Sequence, residues 1–200
     1  MAVELKPHKD PGTRKEQILR VACQLFAERG YAATSVRDIA AALNLQGGSL
    51  YSHIGSKEEL LWEIVDEAAR EFLQRAESAV SGPNTAADRL RRLVRAHVGL
   101  VAKDLAAAAC YLGEWRHLSE ERQENVRARR NQYESYFRNV IEDGVASGEF
   151  SPTESKFAAL FLLGALNWAR QWFRAEGPLG PEEVADRMSD LILRGVERAK

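Results

Sequence analysis

Apolar residues recur along this chain at intervals of three and four. Ile18, Ala22, Leu25 and Phe26 fall on one face of a helix; so do Leu61, Ile64, Val65, Ala68 and Phe72, and so do Leu90, Leu93, Val94, His97 and Val101. The spacing returns at Tyr133, Tyr136, Phe137, Val140, Ile141, Gly144 and Val145, and again at Val184, Met188, Leu191, Ile192 and Val196. A period near 3.6 gathers such side chains into one stripe, and no segment alternates as a half-buried strand would. Thr13 with Glu16, Ser35 with Asp38 and Ser56 with Glu59 each set a hydroxyl three residues before a carboxylate, so the two side chains can satisfy each other's free backbone N–H groups. Gly30, Gly82-Pro83, Gly148 and Gly177-Pro178 mark stops, and Pro181 suits a first turn. The pattern predicts helices over 13–29, 36–43, 47–54, 57–80, 86–103, 105–117, 119–147, 153–175 and 182–198. The expectation is an all-α chain in which three short helices precede six longer ones.

The short helices carry the first chemical signal. Helix 36–43 turns Val36, Ile39, Ala40 and Leu43 inward, and the next begins about four residues later, after Gly47 and Gly48. That is a helix-turn-helix layout. Without Cβ atoms the two glycines let the turn close and the backbone approach a phosphate, while the helix N-terminus offers free N–H groups and the positive end of its dipole. Leu50 and Ile54 face the core; Tyr51, Ser52 and His53 follow on the exposed turn. Tyr51 and His53 suit phosphate oxygens, Gln46 and Ser49 are short enough for base edges, and Lys57 stands where a phosphate clamp is useful. The plain alternative is a solvated surface turn.

Charge agrees with the first reading. The chain carries a net −1, yet residues 1–57 hold eight Lys/Arg against five Asp/Glu and residues 58–200 hold twenty against twenty-four. A basic end on an acidic body fits a protein that meets a polyanion with one end only. Hydrophobic residues make up 45% of the chain, enough for a sizeable core. The longest apolar run, 157–169, is broken by Asn167 and too short for a bilayer, and no apolar signal region opens the chain, so a cytoplasmic location without membrane contact is expected. Cys23 and Cys110 lie far apart without zinc-site spacing and read as reduced, buried thiols.

The segment "ILRVACQLFAERGYAATSVRDIAAALNLQGGSLYSHIGSKEELL" resembles the DNA-binding domain of the TetR family of transcriptional repressors, through "A..LF...G", "T.....IA", "G.LY.H" and "SKEEL". The resemblance covers about residues 13–61. It implies a three-helix DNA-binding domain over 1–56 and a six-helix ligand-binding and dimerisation domain over 57–200. It implies phosphate contacts for Thr34, Ser35, Tyr51, His53 and Lys57, and base or backbone contacts for Arg37, Gln46, Gly47 and Ser49. Ile54 stands where the family usually has Phe, and Gly47 where many members carry a polar or basic side chain, which removes one base contact. One such module docks on few base pairs, so a double-stranded operator calls for two of them about 34 to 36 Å apart, hence a homodimer. The segment "KFAALFLLGALNWARQWF" is apolar almost all round, and together with the last helix it is the expected dimer seam.

The long helices raise the ligand question. In "LAAAACYLGEWRH" small side chains give way to Tyr111, Leu112 and Trp115, which either pack tightly or line a cavity. One turn back from Tyr133 stand Arg129 and Arg130, so at least one guanidinium reaches the inward face and needs a partner: Glu114 or a neighbouring carboxylate, or an anionic ligand head group. His97, alone among apolar neighbours, reads as a satisfied core histidine. Asn167, Trp168, Arg170, Gln171, Trp172 and Arg174 either stack an adenine and hold phosphates or form an aromatic interface with a solvated basic edge. The C-terminal half is similar to TetR members that sense acyl-coenzyme A thioesters and govern fatty-acid or sterol-ring degradation. That similarity implies a repressor released by an acyl-CoA effector, long-chain by preference, with no cofactor. The alternatives are a multidrug-type sensor, which would want buried carboxylates, and a helical thioester-handling enzyme. For the latter the sequence offers no Ser/His/Asp set, glycine-rich phosphate loop or metal spacing.

Overall fold

The computed structural model describes residues 13–45, 50, 52–82, 84–174 and 176–196, with residue 196 described by its backbone alone. Thr13 and Ser35 each accept from the backbone N–H three residues on, and Glu16 and Asp38 return the contact to the cap's own N–H. These reciprocal caps start α1 (Arg14–Arg29) and α2 (Val36–Ala42). Ser56 starts α3 (Lys57–Val80) by accepting from the Glu59 N–H at 3.0 Å, but the Glu59 carboxylate folds over Gly55, so half of the expected exchange forms. Thr85 caps α4 (Ala86–Lys103) and Asp104 caps α5 (Leu105–Leu112). A short 3-10 turn (Glu114–His117) leads to α6 (Glu120–Ser147), α7 (Ser155–Trp172) and α8 (Pro181–Val196).

One of these elements differs from expectation, and one expected helix lies largely outside the described residues. The helix expected over 105–117 ends at Leu112 and tightens into the 3-10 turn, because Glu114 and His117 are drawn onto Tyr31 of the neighbouring α1–α2 turn. The helix expected over 47–54 lies largely outside the described residues, as do Gln46, Gly47, Ser49 and Tyr51; its two core positions, Leu50 and Ile54, are buried as the pattern requires. Asn44 closes α2 with φ +54°, a left-handed conformation that asparagine tolerates better than most side chains. The chain thereby turns sharply where the helix-turn-helix needs it.

The stripe of α3 is buried from Leu60 to Ala76 against α1, α4, α5 and α6, which makes α3 the axis of the molecule. α8 lies along α4, with Val184, Ala185 and Leu193 buried and the ion pairs Arg95–Asp186 (2.6 Å) and Arg91–Asp190 (3.7 Å) on the rim. α1 meets α5 where the Cys110 thiol lies 3.7 Å from the Cys23 carbonyl oxygen. Both cysteines are free and buried, and contact with Cys110 followed by burial pushes the Cys23 thiol up, away from reactivity. One continuous core runs from Ile18 to Leu193, through both of the expected domains. Among the described residues no helix is long and apolar enough to cross a membrane.

Candidate functional site

Among the described residues, two surfaces and a cavity gather the side chains expected to act. At the first surface, the α1–α2 turn and the start of α3 bring Ser35, Arg37, His53 and Lys57 to one end of the molecule. Ser35, Arg37 and His53 are exposed, as a phosphate or base contact needs. Thr34 is 1% exposed, and its hydroxyl points at the carbonyl oxygens of Gly30 (2.9 Å) and Leu25 (3.2 Å). The phosphate contact expected of Thr34 is therefore not open to its hydroxyl; that group instead ties the end of α1 to the start of α2. Lys57 is half-buried, donates to the carbonyls of Tyr31 and Thr34, both at 2.9 Å, and sits 4.0 Å from the centre of the Tyr31 ring. Its ammonium first fastens α3 to the α1–α2 turn, so its charge reaches the surface from a fixed position.

The cavity lies among α3, α4, α5, α6 and α7. It measures about 40 Å³ and is lined by Phe72, His97, Tyr111, Leu112, Arg130, Tyr133, Leu163 and Asn167. The two neighbouring arginines part: Arg129 turns to Asp66 at 2.7 Å, while Arg130 enters the cavity wall. Among the described residues Arg130 has no carboxylate partner. Its guanidinium rests between the rings of Tyr111 and Trp115, 5.6 Å from each centre, with one long bond of 3.5 Å to the Tyr111 carbonyl. Burial draws its pKa down. Glu114, a candidate partner on sequence grounds, instead accepts from the Tyr31 N–H at 2.8 Å.

Trp115 corrects another expectation. It is buried, but behind Arg130 rather than on the cavity wall, and its ring backs the guanidinium. His97 is only half satisfied: Nδ1 lies 3.1 Å from the Tyr133 hydroxyl, while Nε2 is buried with no hydrogen-bond partner. Burial and then the charge of Arg130 draw its pKa down to about 3, so the ring is neutral at physiological pH. The same burial raises the Tyr133 and Tyr111 hydroxyls. Asn167 also leaves its buried Oδ1 without a partner. Sequence reading missed Phe72 and Leu163 as wall residues, since an apolar stripe looks the same whether it meets a neighbour or a cavity.

The second surface is the outer face of α7. Phe157, Leu160, Phe161, Trp168 and Trp172 are exposed on it, Phe161 by 69% and Trp168 by 64%, with Gly164 and Ala165 between them. Leu191 of α8 is 72% exposed. Side chains this large, left exposed at helical spacing, are more than scattered surface residues account for, and the Phe157–Phe161 end of the face suits an interface. Asn167, which faces the cavity, is the immediate neighbour of exposed Trp168; Arg170 follows half-buried, and Gln171 and Arg174 are exposed.

Residues 18–64 match the bacterial regulatory proteins of the tetR family, and residues 83–196 match the tetracyclin repressor-like C-terminal domain. The chain belongs to the TetR family. It is 34% identical over 190 residues to the transcriptional repressor KstR2 of Rhodococcus jostii, covering 92% of this chain and 91% of that one. The solved structure of the ketosteroid regulator KstR2 of Mycobacterium tuberculosis superimposes with a TM-score of 0.89 at 28% identity, over 95% and 98% of the two chains. AibR, solved with isovaleryl coenzyme A and operator DNA, gives 0.80 at 29% identity over 90% and 97%. The protein is accordingly a transcriptional repressor rather than an enzyme, and like other TetR regulators it binds operator DNA as a homodimer and answers to a small molecule.

Proposed function

We propose that this repressor leaves its operator when a CoA thioester binds. The observation that carries the reading is the C-terminal end of α7, where Asn167 lines the cavity while Trp168 beside it is exposed, Arg170 is half-buried and Arg174, just past the helix, is exposed. A thioester at Asn167 would lead its acyl group inward and its nucleotide outward, where an indole face stacks an adenine and guanidiniums meet phosphates. The likeness to AibR, whose structure holds isovaleryl coenzyme A, supports the same class of ligand. A multidrug-type sensor is disfavoured, because the cavity wall carries Arg130 and no Asp or Glu.

Operator contact falls to Ser35, Arg37 and His53, with Lys57 behind them, and to Gln46, Gly47, Ser49 and Tyr51 of the recognition segment. The first 56 residues act as the DNA-binding domain and residues 57–200 as the sensing and dimerising one, paired through α7 and α8. A cavity of about 40 Å³ holds little more than a water molecule, so an acyl tail must push the helices around Leu112 and Leu163 apart. That gives the ligand its preference for a second arrangement, without which it would shift nothing. Phe72 on the cavity wall and Lys57 at the DNA end ride on one helix about 22 Å apart at 1.5 Å per residue.

The test is titration of a complex between the dimer and a fragment of its own promoter with acyl-CoAs of rising chain length and with the free acids. Retention should fall at micromolar thioester. If no CoA ester of any length weakens it, the inducer class is wrong, and the DNA-binding role stands untouched.

A further inference from the structure

We propose that the cavity is a seat for a carboxylate carried by the ligand itself, with Arg130 as its counter-ion and the His97–Tyr133 pair as its neutral donor. This deepens the thioester reading above and rests on it only for the route by which a ligand enters.

Neutral His97 carries one N–H and Tyr133 one O–H, and a single contact of 3.1 Å joins them through Nδ1. If Tyr133 donates, the imidazole hydrogen sits on Nε2, which has no partner. If Nδ1 donates, the tyrosine hydrogen is left over. In either tautomer one donor hydrogen remains unused in a pair that is almost wholly buried, His97 being 1% exposed. Beside it stands a guanidinium with five N–H groups, one long bond to a carbonyl and no carboxylate among the described residues. A half-buried cation left without an anion is unfavourable; the one orphan acceptor on the wall, the Asn167 Oδ1, becomes a donor when the amide turns over, so the wall is completed by an anionic acceptor. The rings of Tyr111 and Trp115 each lie 5.6 Å from the guanidinium carbon and offer it no acceptor oxygen, so its N–H groups are left for what enters the cavity.

A protein that sensed a plain hydrocarbon tail would gain nothing from these groups, since the tail would strand them all. The seat therefore selects for a carboxylate from one of two sources: the far end of a dicarboxylic acyl-CoA, or the head of a free acid.

Calorimetric titration of the full-length dimer at neutral pH separates the cases with four probes: octanoate, octanamide, octanoyl-CoA and the mono-CoA thioester of octanedioic acid. Octanoate should bind at least tenfold more tightly than octanamide. A tenfold advantage of the octanedioic over the octanoyl thioester assigns the carboxylate to the acyl end; its absence, with the acid still preferred over the amide, assigns it to a free acid. Arg130→Met, of similar length and apolar, should erase whichever preference wild type shows; should that variant melt early, the wild-type acid-to-amide ratio decides by itself. Equal binding of acid and amide together with equal binding of the two thioesters overturns the seat, while leaving the thioester reading standing. Carboxylate preference with no binding of either thioester does the reverse. No binding by any of the four overturns both.

Discussion

The Glu114 carboxylate accepts from the backbone N–H of Tyr31 at 2.8 Å, joining the turn behind the cavity to the turn that sets α2. Around this bond His117 stacks on the Tyr31 ring at 5.3 Å and Lys57 caps the ring's other neighbourhood at 4.0 Å. Arg130 leans on Tyr111 and Trp115, which flank Glu114 in sequence. A change at the cavity wall thus has a short, continuous path to the DNA end. Glu114→Ala should leave the helices formed, raise hydrogen exchange at the Tyr31 amide by an order of magnitude or so and cost about 1 to 2 kcal/mol of stability. Unchanged exchange at Tyr31 would show that the bond bears no load.

Thr34 and Arg37 stand three residues apart and should behave oppositely. The Thr34 hydroxyl is buried on two carbonyl oxygens, so Thr34→Val should destabilise the fold by about 1 to 3 kcal/mol. Arg37 is exposed, so Arg37→Ala should leave the melting temperature within a degree or two, weaken operator binding and reduce the salt slope of log K by about 1. Thermal melts and anisotropy titrations at several salt concentrations read both effects. A stable Thr34→Val with weak DNA binding would restore Thr34 as a direct contact.

On the outer face of α7, Phe161→Glu should shift the dimer toward monomer by more than tenfold in its dissociation constant, because it places a charge at the centre of the exposed apolar strip. Sedimentation over a concentration series measures this directly. Operator affinity should fall with it, since two modules bound together gain from effective concentration what one alone lacks. A variant that remains a dimer would put the seam elsewhere.

Much of this was legible in the chain, and the exceptions have a common cause. The stripe of α3 was readable because Leu61, Ile64, Val65, Ala68 and Phe72 obey one period and are all buried or on the cavity wall. The stripe read for α8 put Leu191 among the core positions, yet Leu191 is 72% exposed while Ala185 and Leu193 are buried. A helix that serves its own core with one face and a partner with another carries two overlapping apolar stripes, and periodicity alone does not say which is which. Arg129 and Arg130 posed the same problem at finer grain: adjacent residues differ by about 100° on a helix, and only the position of Asp66 on α3 decides which of them turns away. The meeting of Phe72, His97, Tyr133 and Asn167 joins four helices and leaves no mark in any one of them.

Buried His97 makes the cavity wall visible to pH. Its ring, packed against Phe72 and Tyr133 and facing Arg130, has its pKa drawn from 6.5 down to about 3 in the folded protein, by burial first and then by the guanidinium. Above pH 6.5 folded and unfolded chains both hold a neutral imidazole, and the contribution to stability is complete. Below it the unfolded chain takes up a proton that the folded chain refuses, so stability falls as pH falls, by at most about 1.4 kcal/mol per pH unit. Glu58 is also acid-sensitive, because the Ser119 N–H holds its carboxyl below the usual value of 4.5, but that contribution is lost only below this value. The window from pH 6.5 to 5 therefore lies above the acid-sensitive carboxylate, and comparison with a His97 variant separates this ring from the chain's other histidines. Urea unfolding at fixed protein concentration should show a wild-type slope across that window which His97→Gln flattens by up to about 1 kcal/mol per pH unit. Parallel slopes for the two proteins would mean that His97 takes up its proton in the folded state, and so that the cavity is better solvated than its geometry shows.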